Sequence, residues 1–163
     1  MSSFNTANFT FVDFTEMNES QSLQVLECRN DPVIRMWMVN TDIISADNHS
    51  KFVKLLSNNK SKLYFSVLSR GQFIGSINIH IEDKDKAERG IYIHPRFWGK
   101  KFALNMCKEF YKYIHDNFGI NIILTKVKKE NVGSNALESA LGAKILHDDA
   151  SFFYYSCDLT EIQ

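Results

Sequence analysis

The chain has 163 residues, and its 19 basic and 19 acidic side chains give a formal net charge of zero. A neutral chain has no overall field that would attract nucleic acid or an anionic membrane surface, so neither is expected as a partner. Abundant phenylalanine (13 residues) with little proline (2) and glycine (7) predicts one packed domain over residues 1–163 and argues against disorder.

The N-terminus and the cysteines indicate the compartment. No basic region followed by an apolar stretch opens the chain, and no apolar run reaches the roughly 18 residues of a membrane span. Cys28, Cys107 and Cys157 are odd in number and lack pair spacing, which predicts buried, reduced thiols and no zinc site. We therefore expect a cytoplasmic protein without a metal.

The first half of the chain predicts one strand followed by helices. Apolar and polar residues alternate over Phe9–Phe14, the period of a strand. Asn18 lies three residues before Gln21, the spacing of a helix capping box. Asp31-Pro32 suits a second helix start, with proline at the first helical position, and Ser45 suits the cap of a further helical segment.

The second half begins with two strands around the turn Arg70-Gly71 and a charged turn over residues 83–89. A strand at 90–94 and a long amphipathic helix over Phe102–Asn117 follow, with Gly119 as the stop signal. A strand, a short helix ending at Gly142 and a last strand complete the order β-α-α-β-β-β-α-β-α-β. This order predicts an α/β (α+β) fold, with a single mixed, mostly antiparallel central sheet and helices on both faces.

The turn at Gly99 predicts an anion site. The first N–H groups of a helix have no intrahelical partner, and the helix dipole adds partial positive charge there. Glycine lets an anion approach the main chain, and Lys100 and Lys101 add cationic donors. Such turns also occur without a ligand, and the spacing matches neither a Walker loop nor a dinucleotide fingerprint.

The residues around this turn resemble the acetyl-CoA signature of the GNAT acetyltransferase superfamily, especially the branch of ribosomal-protein N-terminal acetyltransferases. The matching positions are Glu88, Gly90, Tyr92, Pro95 and Trp98 to Ala103, and then Asn131, Ser134, Leu141 and Gly142. The resemblance implies a GNAT fold with acetyl-CoA as cosubstrate.

By that resemblance, three segments contact the cosubstrate. The pyrophosphate would lie on the main chain of Trp98, Gly99, Lys100, Lys101, Phe102 and Ala103. The pantetheine arm would bond the strand at Ile91, Tyr92 and Ile93, with Asn131 and Ser134 near its thiol end. Lys101 replaces a family glycine, so a positive φ there would carry strain.

The N-terminal half resembles the N-acetyltransferases of pseudaminic acid biosynthesis, bacterial GNAT enzymes that acetylate the 4-amino group of a UDP-linked dideoxy-amino sugar. The resemblance lies in Asp-Phe-Thr at 13–15, Leu-Glu-x-Arg-Asn-x-Pro at 26–32, Trp37-Met38 and His-x-x-Phe at 49–52. It implies Arg29 and His49 at the nucleotide, and Met38 and Phe52 against the sugar or base. Asn78 and His80, on one face of a strand, are further acceptor-side candidates.

Acyl transfer to an amine needs a base for the nitrogen and an acid for the departing thiolate. Glu88 shares a strand face with Tyr92, which makes it a candidate base through water, although it is equally well an ordinary charge beside a turn. Glu138 stands where many relatives have a tyrosine that acts as the general acid. A carboxyl group donates a proton there only in surroundings that favour its neutral form. Glu138, Tyr92 or a water is the acid, unless the acceptor differs.

The sequence predicts an acetyl-CoA-dependent N-acetyltransferase for a nucleotide-linked amino sugar. Direct transfer in a ternary complex is expected, because no cysteine is placed as an acyl carrier. One alternative is an N-acetyltransferase of protein N-termini or polyamines, suggested by the Trp98 form of the motif. The other is a non-catalytic acyl-CoA-binding module. A homodimer is possible.

Overall fold

The computed structural model describes residues 2–162. The strands are β1 (Phe4–Asn5), β2 (Thr10–Asp13), β3 (Lys62–Ser69), β4 (Gln72–Asp83), β5 (Lys86–Ile93), β6 (Ile122–Lys128), β7 (Lys144–Asp148) and β8 (Phe152–Asp158). The helices are α1 (Glu19–Asn30), α2 (Pro32–Arg35), α3 (Ala46–Leu56), α4 (Phe102–Phe118) and α5 (Val132–Ala140).

The strands form one sheet in the order β1-β2-β3-β4-β5-β6-β8-β7. The pairs β1/β2, β2/β3, β6/β8 and β7/β8 are antiparallel, whereas β5 and β6, which α4 connects, are parallel. A parallel pair needs such a crossover, because a tight turn reverses the chain direction. The predicted mixed, mostly antiparallel sheet is confirmed.

The local start and stop signals act as predicted. The Asn18 side chain accepts from the Gln21 amide at 2.9 Å, and the Gln21 side chain accepts from the Asn18 amide at 3.0 Å, which closes the capping box. Ser45 accepts from Asn48 N at the start of α3. At Gly119 the backbone φ is +67°, so α4 ends at Phe118 in the left-handed conformation that glycine adopts without a Cβ penalty.

Three elements differ from the prediction. The charged turn shrinks to Lys84-Asp85, because β5 already begins at Lys86 and places Glu88 inside a strand. The two-residue β1 and the edge strand β7 were not predicted. Every residue of β7 is exposed, and a bulge between Ile145 and His147 breaks its register, so it lacks the period-two alternation that marks a half-buried strand.

The chain divides into two compact units, of which the first comprises the chain through Ile79 together with Ile91–Phe102. One of its apolar clusters consists of the buried Phe14, Val25 and Leu56, with Met17, Phe52, Val53, Tyr64 and Phe73 packed against them. Gly75 lets β4 approach β5 closely, since a Cβ there would lie 2.1 Å from the Tyr92 carbonyl oxygen. This contact excludes any side chain at position 75 unless β5 shifts.

The second unit comprises His80–Gly90 and Ala103–Gln163. Helix α4 buries five side chains: Met106, Cys107, Phe110, Tyr111 and Ile114. The inner faces of the strands add Ala87, Ile123, Val127, Tyr155 and Cys157. Within residues 2–162, no helix combines the length and the apolar character that crossing a membrane requires.

Candidate functional site

The turn before α4 has the backbone that an anion site needs. Gly99 has φ +72° and Lys101 has φ +59°, and both residues are exposed together with Lys100. Lys101 thus has the positive φ that would carry strain, and its Cβ gives that conformation a steric cost. The first N–H groups of the 17-residue helix α4 follow directly and carry the positive end of its dipole.

Side chains of the first unit hold this turn in place. The Trp98 indole N–H donates to the Ile93 carbonyl at 2.8 Å, which ties the turn to the end of β5. Phe102 packs edge-on against Phe97, with ring centroids 5.2 Å apart, and against Phe9 at 6.4 Å. The Lys100 ammonium lies 5.9 Å from the centre of the Phe97 ring. The turn is anchored at both ends.

β5, the strand predicted to contact pantetheine, is longer than the segment of it that pairs with β6. β5 is in register with β6 only from Lys86–Glu88, against Ile122–Leu124, and it then continues to Ile93. Every residue of a strand carries one backbone donor and one acceptor. Main-chain groups of Ile91–Ile93 therefore lie beyond the last registered β5–β6 pair.

Tyr92 is half-buried, and its phenol is already bonded. It donates to the Val25 carbonyl of α1 at 3.2 Å and also hydrogen-bonds with Ser76 of β4. Burial raises the pKa of Tyr92 well above its usual range, so the phenol keeps its proton at neutral pH. The contact with Ser76 places Tyr92 on the strand face that also carries Asn78, which is half-buried.

Glu88 and Arg89 lie on opposite faces of β5. Glu88 is exposed, whereas Arg89 is 6% exposed and points to the face buried by α4 and α5. Its guanidinium forms an ion pair with Glu138 of α5 and lies 3.5 Å from the Cys107 sulfur of α4. Because side chains alternate along a strand, the Glu88 carboxylate faces solvent and the Arg89 guanidinium faces the core.

The Arg89–Glu138 pair is almost completely dry, with side-chain exposures of 2% and 1%. Burial alone lowers the pKa of Arg89, but the nearby Tyr111 and Glu138 outweigh it and the pKa is raised. The ion pair joins α5 to β5, so the geometry favours an anchoring role for Glu138, and its predicted role as acid stays a prediction.

Asn131 and Ser134 form the N-terminal cap of α5. The Asn131 side-chain oxygen accepts from the Ser134 amide at 3.0 Å. The Tyr155 phenol donates to Asn135 at 2.7 Å, and Asn135 in turn donates to the Lys128 carbonyl at 3.0 Å. The Asn-x-x-Ser motif therefore has a local structural function, and its predicted contact with the thiol end stays a prediction.

On the acceptor side, Arg29 has a cationic neighbour that the sequence did not single out. Arg29 Nη2 donates to the Asn40 carbonyl at 2.7 Å, and Arg35 Nη1 donates to the Thr41 carbonyl at 2.9 Å, so both guanidiniums hold the same loop. Burial lowers the pKa of Arg29, and Arg35 lowers it further, whereas Tyr92 raises it. Within residues 2–162, neither arginine forms an ion pair with a carboxylate.

His49 and Phe52 lie in the packed interior of the first unit. His49 is buried, its Nε2 lies 3.0 Å from the Ser22 hydroxyl, and its ring contacts Phe14 edge-on. Burial lowers the pKa of His49 and favours its neutral form. Phe52 packs edge-on against Tyr64, with ring centroids 5.0 Å apart. Both side chains stabilise the fold, and their predicted substrate contacts stay predictions.

The remaining acceptor candidates belong to different units. Met38 is half-buried in the turn after α2, where its amide donates to the Arg35 carbonyl at 3.1 Å. His80 is exposed on β4 and belongs to the second unit. Arg35 and Arg89 were missed because only spatial neighbours distinguish them from ordinary surface arginines. The residues described contain no group of three or more histidine, cysteine or acidic side chains able to bind a metal.

Comparisons with known proteins agree on one family. Residues 13–144 match the model of the acetyltransferase (GNAT) domain. The chain is 30% identical over 142 residues to acetyltransferase PseH of Campylobacter jejuni strain 81-176, which covers 87% of this chain and 88% of that protein.

Solved structures share the fold. The N-acetyltransferase PseH of Campylobacter jejuni in complex with acetyl coenzyme A superposes with a TM-score of 0.76 at 24% identity, over 92% of this chain and 98% of that one. Spermidine N-acetyltransferase from Vibrio cholerae, in complex with CoA and spermine, gives a TM-score of 0.86 at 15% identity, over 96% and 99%.

Proposed function

This chain belongs to the GNAT acetyltransferase family and is an N-acetyltransferase, and from this premise we propose its substrates. We propose that it transfers an acetyl group from acetyl-CoA to the amino group of a nucleotide-linked 4-amino-4,6-dideoxy sugar, as in pseudaminic acid biosynthesis. The observation that carries the proposal is the 30% identity to acetyltransferase PseH. That identity extends over 87% of the chain and therefore includes the half predicted to bind the acceptor.

The turn before α4 fits the pyrophosphate of acetyl-CoA. The exposed residues Trp98 to Lys101, the positive end of α4 and the ammonium groups of Lys100 and Lys101 together favour a doubly charged anion. Lys101 has a left-handed backbone although it is not glycine. A contact between its ammonium group and a phosphate would offset the strain of that conformation. The main chain of Ile91–Ile93 would bind the pantetheine arm beyond the last β5–β6 pair.

Acetyl-CoA supplies the activated acetyl group, and the residues of the chain move the protons. We assign Glu88 as the base that deprotonates the acceptor ammonium through a water, because its carboxylate is exposed on the strand that leads into Ile91–Ile93. Tyr92 keeps its proton at neutral pH and its phenol is positioned by the Val25 carbonyl, so we assign it as the group that protonates the departing thiolate. Glu138 holds α5 through Arg89.

Transfer directly from acetyl-CoA to the amine is supported by the state of the cysteines. Cys28, Cys107 and Cys157 are free and buried. Burial raises the pKa of Cys28 to about 12 and the pKa values of Cys107 and Cys157 to about 11. The thiolate is the nucleophile, and it is scarce at neutral pH for all three, so an acyl-cysteine intermediate is disfavoured.

An acceptor panel tests the proposal. We expect rapid release of CoA with a UDP-linked 4-amino-4,6-dideoxy sugar, and slow release with spermidine and with an N-terminal peptide of a ribosomal protein. Mass spectrometry should locate the acetyl group on the sugar nitrogen. The fold similarity to spermidine N-acetyltransferase motivates the polyamine arm. Acetylation of spermidine or of the peptide without acetylation of the sugar would refute the proposed substrate.

The pyrophosphate assignment has its own test at Lys101. Lys101→Gly should raise the free energy of unfolding by about 1 kcal/mol, because glycine adopts the positive φ without strain. The same change should weaken acetyl-CoA binding about tenfold, the loss of one hydrogen bond to a charged group. Chemical denaturation and calorimetric titration measure the two effects.

Arg70 is the matched control. It is the other non-glycine residue with positive φ in the described chain, at +50° in the β3–β4 turn. Arg70→Gly should stabilise the protein similarly and leave the acetyl-CoA affinity unchanged. Equal acetyl-CoA affinity in both glycine variants would remove Lys101 from the pyrophosphate site.

A further inference from the structure

The second unit carries a basic and aromatic surface on the same sheet face as Glu88. Strand pairing places Lys126 opposite Tyr154, Lys128 opposite Phe152, and His147 opposite Tyr154 on its other side. Because paired residues point to the same side of a sheet and successive residues alternate, these side chains share one face. We call this surface the Lys126 face; it comprises Lys126, Lys128, Lys144, His147, Phe152 and Tyr154.

Register also connects the Lys126 face to the proposed catalytic carboxylate. Glu88 pairs with Leu124, which is two residues before Lys126 on β6 and so points to the same side. The opposite face carries the buried Ile123, Thr125 and Val127. Glu88 and the Lys126 face are therefore parts of one partly exposed surface within the second unit.

Lys126 is positioned by rings. Its ammonium lies 4.2 Å from the centre of the Phe152 ring and 5.3 Å from that of Tyr154. No ion pair within residues 2–162 involves Lys126. The nearby Asp149 accepts from two main-chain amides and from the Tyr154 phenol. An ammonium group held over aromatic rings keeps N–H donors available for an anionic ligand.

His147 completes the surface with an exposed ring. It stacks on Tyr154 with centroids 4.2 Å apart and an interplanar angle of 21°. One face of the imidazole covers the tyrosine, and the residue is exposed, so a planar base can stack on the other face. Lysine ammonium groups beside a stacking surface are the two features that recognise a nucleoside phosphate.

We infer that the Lys126 face binds the nucleoside diphosphate part of the acceptor, with the base on His147 and the diphosphate on Lys126 and Lys128. From β7 to β5 the sheet spans three strand spacings, about 14 Å, which is of the order of an extended nucleotide sugar. The amino group would then lie towards Glu88. This inference rests on the proposed function and assigns the nucleotide end to this face instead of to Arg29 and His49.

The direct test is binding of UDP to enzyme saturated with CoA, so that the cosubstrate site is already filled. Calorimetric titration should show UDP binding that weakens as salt is added, because the contacts with phosphate are ionic. Lys126→Ala and His147→Ala should each weaken it about tenfold, the loss of one charged or stacking contact. Lys112→Ala is the control, since Lys112 is 79% exposed on α4 and pairs with Asp116.

The outcomes separate this inference from the proposed function. Equal UDP affinity in the Lys126→Ala, His147→Ala and Lys112→Ala variants would overturn it, even if the enzyme acetylates the amino sugar. UDP binding that Lys126→Ala and His147→Ala weaken would support it, even if the acceptor panel selects another amine. His147 is an exposed side chain, so its variant keeps the test valid if Lys126→Ala fails to fold.

Discussion

Glu138→Ala should lower the free energy of unfolding by about 3–5 kcal/mol, the largest effect that we expect from one substitution. The change leaves the Arg89 guanidinium buried without its counter-ion, in a site where both side chains are at most 2% exposed. A desolvated, unpaired cation costs far more than the lost contact itself. Urea denaturation followed by circular dichroism measures the effect.

Two further variants separate charge from packing. The double variant Arg89→Met with Glu138→Leu should recover most of the lost stability, because apolar residues of similar volume replace both charges together. Glu130→Ala, at an exposed carboxylate just before α5, should change the free energy of unfolding by no more than about 0.5 kcal/mol. A Glu138→Ala protein as stable as Glu130→Ala would contradict the anchoring role of the pair.

Glu88→Gln should lower kcat by about 10²–10⁴-fold, the usual contribution of general base catalysis. The substitution keeps the shape of an exposed side chain but removes its ability to take a proton. We expect unchanged acetyl-CoA affinity, since glutamine retains the strand and the backbone of Ile91–Ile93 is untouched. Steady-state CoA release and calorimetric titration measure the two quantities.

Glu82→Gln is the control, because Glu82 is an exposed carboxylate on the neighbouring strand β4 of the same unit. Its kcat should equal that of the parent enzyme. If Glu88→Gln also turns over at the parental rate, Glu88 is not the base. A fall in acetyl-CoA affinity with unchanged kcat would instead make Glu88 a cosubstrate contact.

Signals that act within a few residues could be predicted from the sequence. The Asn18–Gln21 capping box, the Ser45 cap and the stop at Gly119 all follow from local backbone chemistry, and the structure has each of them. The turn at Gly99 belongs to the same class, because a glycine and two lysines before an amphipathic segment form a local pattern.

Interactions between distant residues could not be predicted in the same way. Arg89 and Glu138 are 49 residues apart, and only the folded chain brings them together. The sequence has Glu138 where many relatives have a tyrosine, but sequence spacing did not identify Arg89 as its ion-pair partner. The strand β7 was missed for another reason. Its residues are all exposed, so its sequence lacks the alternation of apolar and polar residues that indicates a half-buried strand. The Lys126 face depends on the register of β6, β7 and β8, which sequence spacing does not fix.

The three buried cysteines also decide how the enzyme can be handled. Alkylating reagents react with thiolates, and Cys28, Cys107 and Cys157 are buried with raised pKa values. The cysteines of the folded protein should therefore not react with maleimides or chromogenic disulfides at neutral pH. A colour reaction can then report the liberated CoA alone, and a cysteine introduced on the surface would be the one labelled position for a fluorescent probe.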